Sequence, residues 1–240
     1  MNPKVSIIIP FYNCAYVDQA IQSALDQTYQ NIEIIVVDDG STMFTEKIDP
    51  FRERIVYLKK ENGGTATALN HGIRAAKGEY IAWLSSDDYF LPQKISQQIS
   101  FMLNNKGKIS FTKFDCIDKD NQIISAWDYP GFSDINDFYR NFLTHNAVNG
   151  CTVIIKKDLF EHVGYFNPFF RYTHDYELWF RLLIKGYKMY YLDEPLTKFR
   201  VHEESGTHKH TLEMQKEMAL IESHYRPLLI EYIISKLCFF

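Results

Sequence analysis

Cysteine is scarce in this chain. Cys14, Cys116, Cys151 and Cys238 are widely scattered and form no CxxC pair, so they offer neither a dithiol motif nor the dense disulfide framework of a small secreted domain. A reducing compartment, the cytoplasm, is the expectation. At the N-terminus a long apolar run is missing as well: Val5-Ser-Ile-Ile-Ile9 is cut by Pro10, too short for a secretory signal core or a bilayer span and suited to a buried strand. Basic blocks are also absent. The formal net charge is −4 with Lys and Arg dispersed, which leaves no electrostatic footprint for nucleic acid. No GxGxxG follows a strand pattern, and this removes the dinucleotide fingerprint of a nicotinamide enzyme.

What the chain does have is core-forming material. Its 240 residues are 46% hydrophobic and 15% aromatic, enough for one large globular domain with appendages. Strand-like and helix-like patterns alternate through the first hundred residues. Strands are expected at 5–9, 32–37, 55–58 and 80–84. Helices are expected at 16–27, where Val17, Ala20, Ile21, Ala24 and Leu25 recur at three- and four-residue spacing, and through Ala66, Leu69, Ile73 and Ala76, closed by Gly78. Near-continuous β-branched runs between amphipathic helices predict an α/β fold, a mostly parallel sheet with helices on its faces.

Two of those strands end in paired carboxylates. Ile32-Glu-Ile-Ile-Val-Val-Asp-Asp-Gly-Ser-Thr42 carries Asp38 and Asp39; Ile81-Ala-Trp-Leu-Ser-Ser-Asp-Asp-Tyr-Phe-Leu-Pro92 carries Asp87 and Asp88 before a proline-started helix. An aspartate after a strand also caps helices and forms turns. Two acidic strand ends together suit a hard divalent cation, Mg²⁺ or Mn²⁺, which takes one or two protein carboxylates and fills its shell with water and substrate phosphate oxygens. In parallel sheets ligands bind at the carboxyl ends of the strands, where both pairs fall.

The second half has a different pattern. A hairpin is expected from 108–118 and 123–127, a helix at 134–143, a strand at 151–155, a helical face of Leu178, Trp179, Leu182 and Leu183, and two short strands at 188–192 and 196–201 before a polar turn at 203–210. No repeat or linker marks an independent second domain. One domain over 1–210 is expected, with a nucleotide-binding half at 1–105, an acceptor-binding half at 106–210 and a helical tail at 211–240.

In order and spacing, Val5-Ser-Ile-Ile-Ile-Pro-Phe-Tyr-Asn13, Val37-Asp-Asp-Gly-Ser-Thr42, Glu61-Asn-Gly-Gly64, Lys77-Gly-Glu-Tyr-Ile81, Ser86-Asp-Asp88 and His174-Asp-Tyr-Glu-Leu-Trp179 resemble the signature of family-2 glycosyltransferases with the GT-A fold, over roughly residues 4 to 202. The resemblance implies an inverting transferase of polysaccharide biosynthesis. It would move a sugar from a nucleotide-diphosphate donor, expected to be a UDP-sugar, to an acceptor hydroxyl of a glycan or glycoconjugate, with Mn²⁺ or Mg²⁺ on the diphosphate. By the same resemblance Pro10 and Tyr12 border the nucleotide base, and Asp39 accepts a hydrogen bond from the base edge. Asn62 and Gly63 belong to the donor loop, Asp87 supports the ribose or the water shell of the metal, Asp88 ligates the metal, and His202 approaches the metal or diphosphate. Asp175 is the implied general base, which an acceptor hydroxyl needs in order to become a nucleophile. From the residues alone, Tyr12 suits a core aromatic equally, and Asp175 suits a helix N-cap.

The chain departs from the family pattern in three places. Ser85 stands where many relatives have Asp, Leu69 where many have Arg, and His174 where the usual residue is Glu. These departures motivate one alternative, a catalytically degenerate domain that binds nucleotide-sugar or glycan. The other alternative is a sugar nucleotidyltransferase, against which stands the lack of glycine in Pro10-Phe-Tyr-Asn13. The tail, 227–240, is apolar with only Glu231 and Lys236 charged. It is too short to span a bilayer and lacks the basic face of a surface-lying helix. Packing against this domain or a partner copy is expected, with peripheral membrane contact as the alternative.

Overall fold

The computed structural model describes residues 2–126, 131–132 and 134–237. Four strands, β1 (Val5–Phe11), β2 (Ile32–Asp38), β3 (Val56–Lys59) and β4 (Tyr80–Trp83), form a parallel block in the order β3-β2-β1-β4. β1 is buried along its whole length, as its β-branched run requires of a strand covered on both faces. Its alternate residues serve two cores. Val5, Ile7, Ile9 and Phe11 meet Val17, Ala20, Ile21 and Ala24 of α1 (Val17–Leu25), while Ile8 meets Ala66, Ala68, Leu69 and Ile73 of α2 (Thr65–Ala75) on the other side. The approach of α2 is close: a Cβ on Gly72 would lie 2.6 Å from Ile8 Cγ2.

Beyond β4 the sheet turns mixed. β8 (Ile154–Lys156) runs antiparallel to β4, β6 (Ile109–Ile117) antiparallel to β8, and β9 (Met189–Arg200) parallel to β6. The short β5 (Tyr89–Phe90) closes the edge, and β7 (Ile123–Ala126) forms the expected hairpin with β6. The helices α3 (Lys94–Asn104), α4 (Ile135–Phe142), α5 (Leu159–Val163), α6 (His174–Ile184), α7 (Gly206–Lys209) and α8 (Thr211–Leu237) complete the chain, with 3-10 turns at Thr45–Phe51 and Gly150–Thr152. The architecture is the expected α/β sheet flanked by helices, with a long C-terminal helix.

Local differences from expectation have physical reasons. The two short strands expected at 188–192 and 196–201 are one, β9, because Pro195 sits where the register with β6 shifts around Lys113, and a proline is tolerated at such a bulge. The strand expected at 151–155 begins later, since Asn149 Oδ1 accepts the N–H of Cys151 and turns 150–152 into a 3-10 helix before β8. The polar turn at 203–210 contains α7. Trp127, expected to end the hairpin, and residues 238–240 of the tail lie outside the described residues. α8 runs through Pro227, and on its inner side Ile221 and Leu229 are buried with Met218, Tyr225, Tyr232 and Ile233 packed against the same core. Leu220, Leu228, Ile230 and Ile234 stay exposed. No helix among the described residues is long and apolar enough to cross a membrane.

Candidate functional site

The carboxyl ends of β1 and β2 are stitched into one knot. The Asp39 N–H donates to the Phe11 carbonyl at 2.9 Å, and Asn13 Oδ1 accepts the N–H groups of Thr42 and Met43 at 2.8 and 2.9 Å. Asp38 is buried and accepts the Ser41 N–H at 2.7 Å and the Tyr57 hydroxyl. Asp39, also buried, accepts the Gly63 and Gly64 N–H groups at 3.0 and 2.7 Å and pairs with the Lys60 ammonium; Asn62 Nδ2 closes on the Asp39 carbonyl at 3.0 Å. The turn demands glycine at position 40, where φ is +80° and a Cβ would sit 2.8 Å from the Asn62 nitrogen. Asp39, Asn62 and Gly63 are thus brought together. Pro10 is buried at the end of β1, and Tyr12 projects with 54% of its surface exposed, so it is not a core aromatic. Leu69 of α2 is fully buried and packs into the core.

At the end of β4 the second acidic pair divides its tasks. Asp87 keeps part of its carboxylate open and its Oδ2 lies 3.1 Å from His202 Nε2. Asp88 is buried behind it, with Oδ1 accepting the Arg200 N–H at 2.8 Å and Oδ2 left without a partner. Burial first, then the neighbouring Asp87 charge, pushes the Asp88 pKa well above the usual carboxylate range against the pull of Arg200. The partner that His202 meets is therefore Asp87, not Asp88. Arg200 is itself fully buried. Its Nε donates to the Asp87 carbonyl and its terminal nitrogens to Asp118, Gln19 and Asn121, and its guanidinium stacks on Tyr16, whose ring also meets His202 edge-on at 5.3 Å. This clamp was not assigned from the sequence, although Arg200 belongs to the Arg-Val-His202 run that held His202; the hydrogen-bond partners of its side chain are 79 to 181 residues away.

Asp175 is the second residue of α6, not its cap; the N-cap is Thr173. Its Oδ1 accepts the adjacent Tyr176 N–H at 2.7 Å. The residue is partly exposed, yet its carboxyl is enclosed by protein, and that burial raises its pKa to about 6 against the backbone N–H groups of Tyr176, Asp175 and Gly150. Gly150 begins the 3-10 turn, and the next residue, Cys151, places its Sγ 3.0 Å from Ser85 Oγ and beside the Asp88 carboxyl. The turn thus joins Asp175 to the acidic strand end. Its glycine is required: a Cβ on Gly150 would meet the Trp83 ring at 2.0 Å. His174 is buried between Trp83 and Phe166, each 5.4 Å away, and burial lowers its pKa to about 4 against the opposing pull of the Arg171 and Phe170 backbone. It is a neutral packing residue.

The donor set fits a divalent cation. An accessible carboxylate facing an imidazole, with a buried carboxylate oxygen unshared behind them, offers the one or two carboxylates such an ion takes from a protein when a diphosphate supplies the rest. Among the described residues no cluster of three or more His, Cys, Asp or Glu side chains gathers around one point, so the substrate would have to complete the shell.

Residues 6–164 match the sequence pattern described as glycosyl transferase family 2. The chain is 43% identical over 228 residues, 91% of its length, to an uncharacterized glycosyltransferase of Rickettsia typhi, of which it spans 70%; it spans only 35–36% of three longer Rickettsia relatives. It is 36% identical over 239 residues to an Escherichia coli protein named UDP-Glc:alpha-D-GlcNAc-diphosphoundecaprenol beta-1,3-glucosyltransferase, covering 95% of this chain and 91% of that one. The crystal structure of Staphylococcus aureus TarS superposes with a TM-score of 0.71 at 20% identity over 96% of this chain and 43% of that one, a likeness of fold. Joined to the strand-end carboxylates and the acidic first turn of α6, these similarities support sugar transfer as the general activity, and the chain belongs to glycosyl transferase family 2.

Proposed function

We propose that this chain transfers a sugar from a UDP-sugar to a hydroxyl of a growing glycan or glycoconjugate, inverting the anomeric centre in a single displacement. The observation that carries this is the enclosed Asp175 carboxyl, raised to about 6 and tied through 150–152 to the acidic end of β4. A base of that strength is ionised at neutral pH yet basic enough to take a proton in the transition state. The E. coli relative is named for UDP-Glc and a GlcNAc-diphospholipid acceptor, and an S. aureus protein of the same fold has been solved with UDP-GlcNAc. Both names favour a UDP-sugar donor and a carbohydrate acceptor.

In this reading Tyr12 stacks beside the base, and Asp39 with Asn62 and Gly63 shapes the loop that receives the nucleotide. Mn²⁺ or Mg²⁺, held by Asp87 and His202 with Asp88 behind them, would offset charge on the departing diphosphate. Asp175 accepts the proton of the acceptor hydroxyl as its oxygen bonds to the anomeric carbon; the bond from that carbon to the diphosphate oxygen breaks, and its electron pair leaves with UDP. Residues 1–105 form the donor half and 106–210 the acceptor half of a protein working in the cytoplasm, or peripherally at a membrane, on a glycan or glycoconjugate acceptor.

Incubation with UDP-glucose or UDP-GlcNAc, Mn²⁺ and a GlcNAc-diphospholipid acceptor tests this directly. A β-linked product and released UDP are expected. Binding of UDP with no sugar released from either donor, with or without acceptor, would leave a binding domain instead.

A further inference from the structure

The loop that leads into α6 is held by a single carboxylate from the C-terminal helix. Glu217 of α8 accepts the Arg171 N–H at 2.9 Å on Oε1, and on Oε2 the Tyr172 and Thr173 N–H groups, both at 3.0 Å, and the Thr173 hydroxyl at 2.7 Å. Three consecutive backbone donors converging on one anion form a nest, and such bonds to an ionised acceptor are among the stronger ones. Thr173 is the N-cap of α6, but its side chain caps nothing within its own helix, since the hydroxyl points to Glu217. Further contacts bind the same region. His210 stacks on Tyr172 at 4.3 Å, Tyr176 donates to Glu222 at 3.1 Å, and Tyr225 donates to Glu177 at 2.7 Å. Asp175 lies two residues beyond Thr173. On the other side of the loop, the Arg171 side chain passes 3.7 Å from where a Cβ on Gly64 of the donor loop would stand.

We propose that Glu217 is a positioning residue: it anchors 171–173 so that the first turn of α6 presents Asp175 to the acceptor hydroxyl, which makes α8 a working part of the site. The proposal rests on the reading of Asp175 as the base. A base is useful only within hydrogen-bond reach of its proton, and a displacement of about 1 Å can cost on the order of 10²-fold in rate. Local sequence could not reveal this, because the contact spans 44 to 46 residues.

The test compares Glu217→Ala, which removes all four bonds, with Glu217→Gln, which keeps the shape and one acceptor oxygen. The first readout is the titration of the Asp175 carboxyl carbon by NMR, assigned by its loss in Asp175→Asn. The second is Mn²⁺-dependent UDP release from UDP-glucose, expressed per UDP-binding site counted by calorimetry. In Glu217→Ala the Asp175 titration should move down from about 6 as water reaches it, with release per site falling roughly tenfold or more and the donor KM changing less than about threefold. Glu217→Gln should lie between it and the parent. An Asp175 titration unmoved in the variants overturns the proposal, whatever happens to thermal stability. Should Glu217→Ala fail to fold, the Gln variant carries the same test. The NMR result stands even if the parent protein releases no UDP, an outcome that counts against the proposed function instead.

Discussion

Asp39 and Asp175 are both carboxylates at the ends of regular elements, and the protein treats them in opposite ways. Asp39 is surrounded by donors, with two glycine N–H groups and the Lys60 ammonium on its oxygens. Asp175 is enclosed with the backbone N–H groups of Tyr176, Asp175 and Gly150 to balance the loss of water, and burial outweighs them and raises its pKa to about 6. A carboxylate saturated with hydrogen bonds is a structural anchor that shapes a loop, whereas a desolvated one holds its negative charge at a cost and gains basicity. The end of β2 is thus held rigid, and under the proposed function the enclosed carboxyl at the start of α6 is the one suited to take a proton. The Asp88 carboxyl, buried with one oxygen unshared, belongs with the second kind.

The largest expected effect separates the two. Asp175→Asn should lower transfer by roughly 10²-fold or more, the scale of a general base, while UDP affinity measured by calorimetry stays within a few-fold. The same variant should be more stable than the parent at pH 7 to 8. Burial raises the folded-state pKa above the unfolded value of 3.8 to about 6, so the contribution of Asp175 to stability is full below the unfolded value and is lost as pH rises through the folded one. Ionised, it costs up to about 3 kcal/mol, less to the extent that water reaches it. The gain in Tm on going to Asn should therefore fade toward pH 4. A loss of stability at pH 8 would place Asp175 with Asp39 among the anchors.

Asp87→Ala and His202→Ala should each weaken Mn²⁺-assisted UDP binding by roughly tenfold or more, with little change in binding measured in the presence of a chelator. Equal losses with and without metal would make the pair a direct nucleotide contact. Asp39→Ala should act mainly through structure: with Gly63 and Gly64 deprived of their acceptor, about 1–3 kcal/mol of stability should go, and UDP affinity with it. A variant that keeps its Tm but loses affinity would reverse the assignment of Asp39 to the rigid side. The smallest effect is expected at Tyr12. Half exposed, it can be changed to Ala without a shift in Tm, at a cost of about 1 kcal/mol in UDP binding if a base stacks on it.

Much of the sheet was legible in the sequence because its strands and turns follow local pattern: β-branched runs marked the parallel strands and glycines the turns, and the strand ends that a parallel sheet brings side by side are where Asp39, Asn62 and Gly63 fall. The roles of Asp39, Asn62, Gly63 and Asp175 alike were legible only through resemblance. Asp175 by itself suits an N-cap, and what distinguishes it is enclosure by Gly150 and the Trp83 neighbourhood, which no spacing encodes. Arg200 and Glu217 were missed for the same reason, since each works on residues many tens of positions away. Pro195 lies between the two strands expected at 188–192 and 196–201, yet a bulge carries β9 through it.

The most direct measurement is the pH dependence of UDP release from a saturating UDP-sugar, with acceptor and Mn²⁺, in the parent and in Asp175→Asn. The parent rate should rise with an apparent pKa near 6, and the variant, slower at every pH, should lack that limb. A limb that persists unchanged in Asp175→Asn would assign the proton to another group and contradict the role of Asp175 as the base.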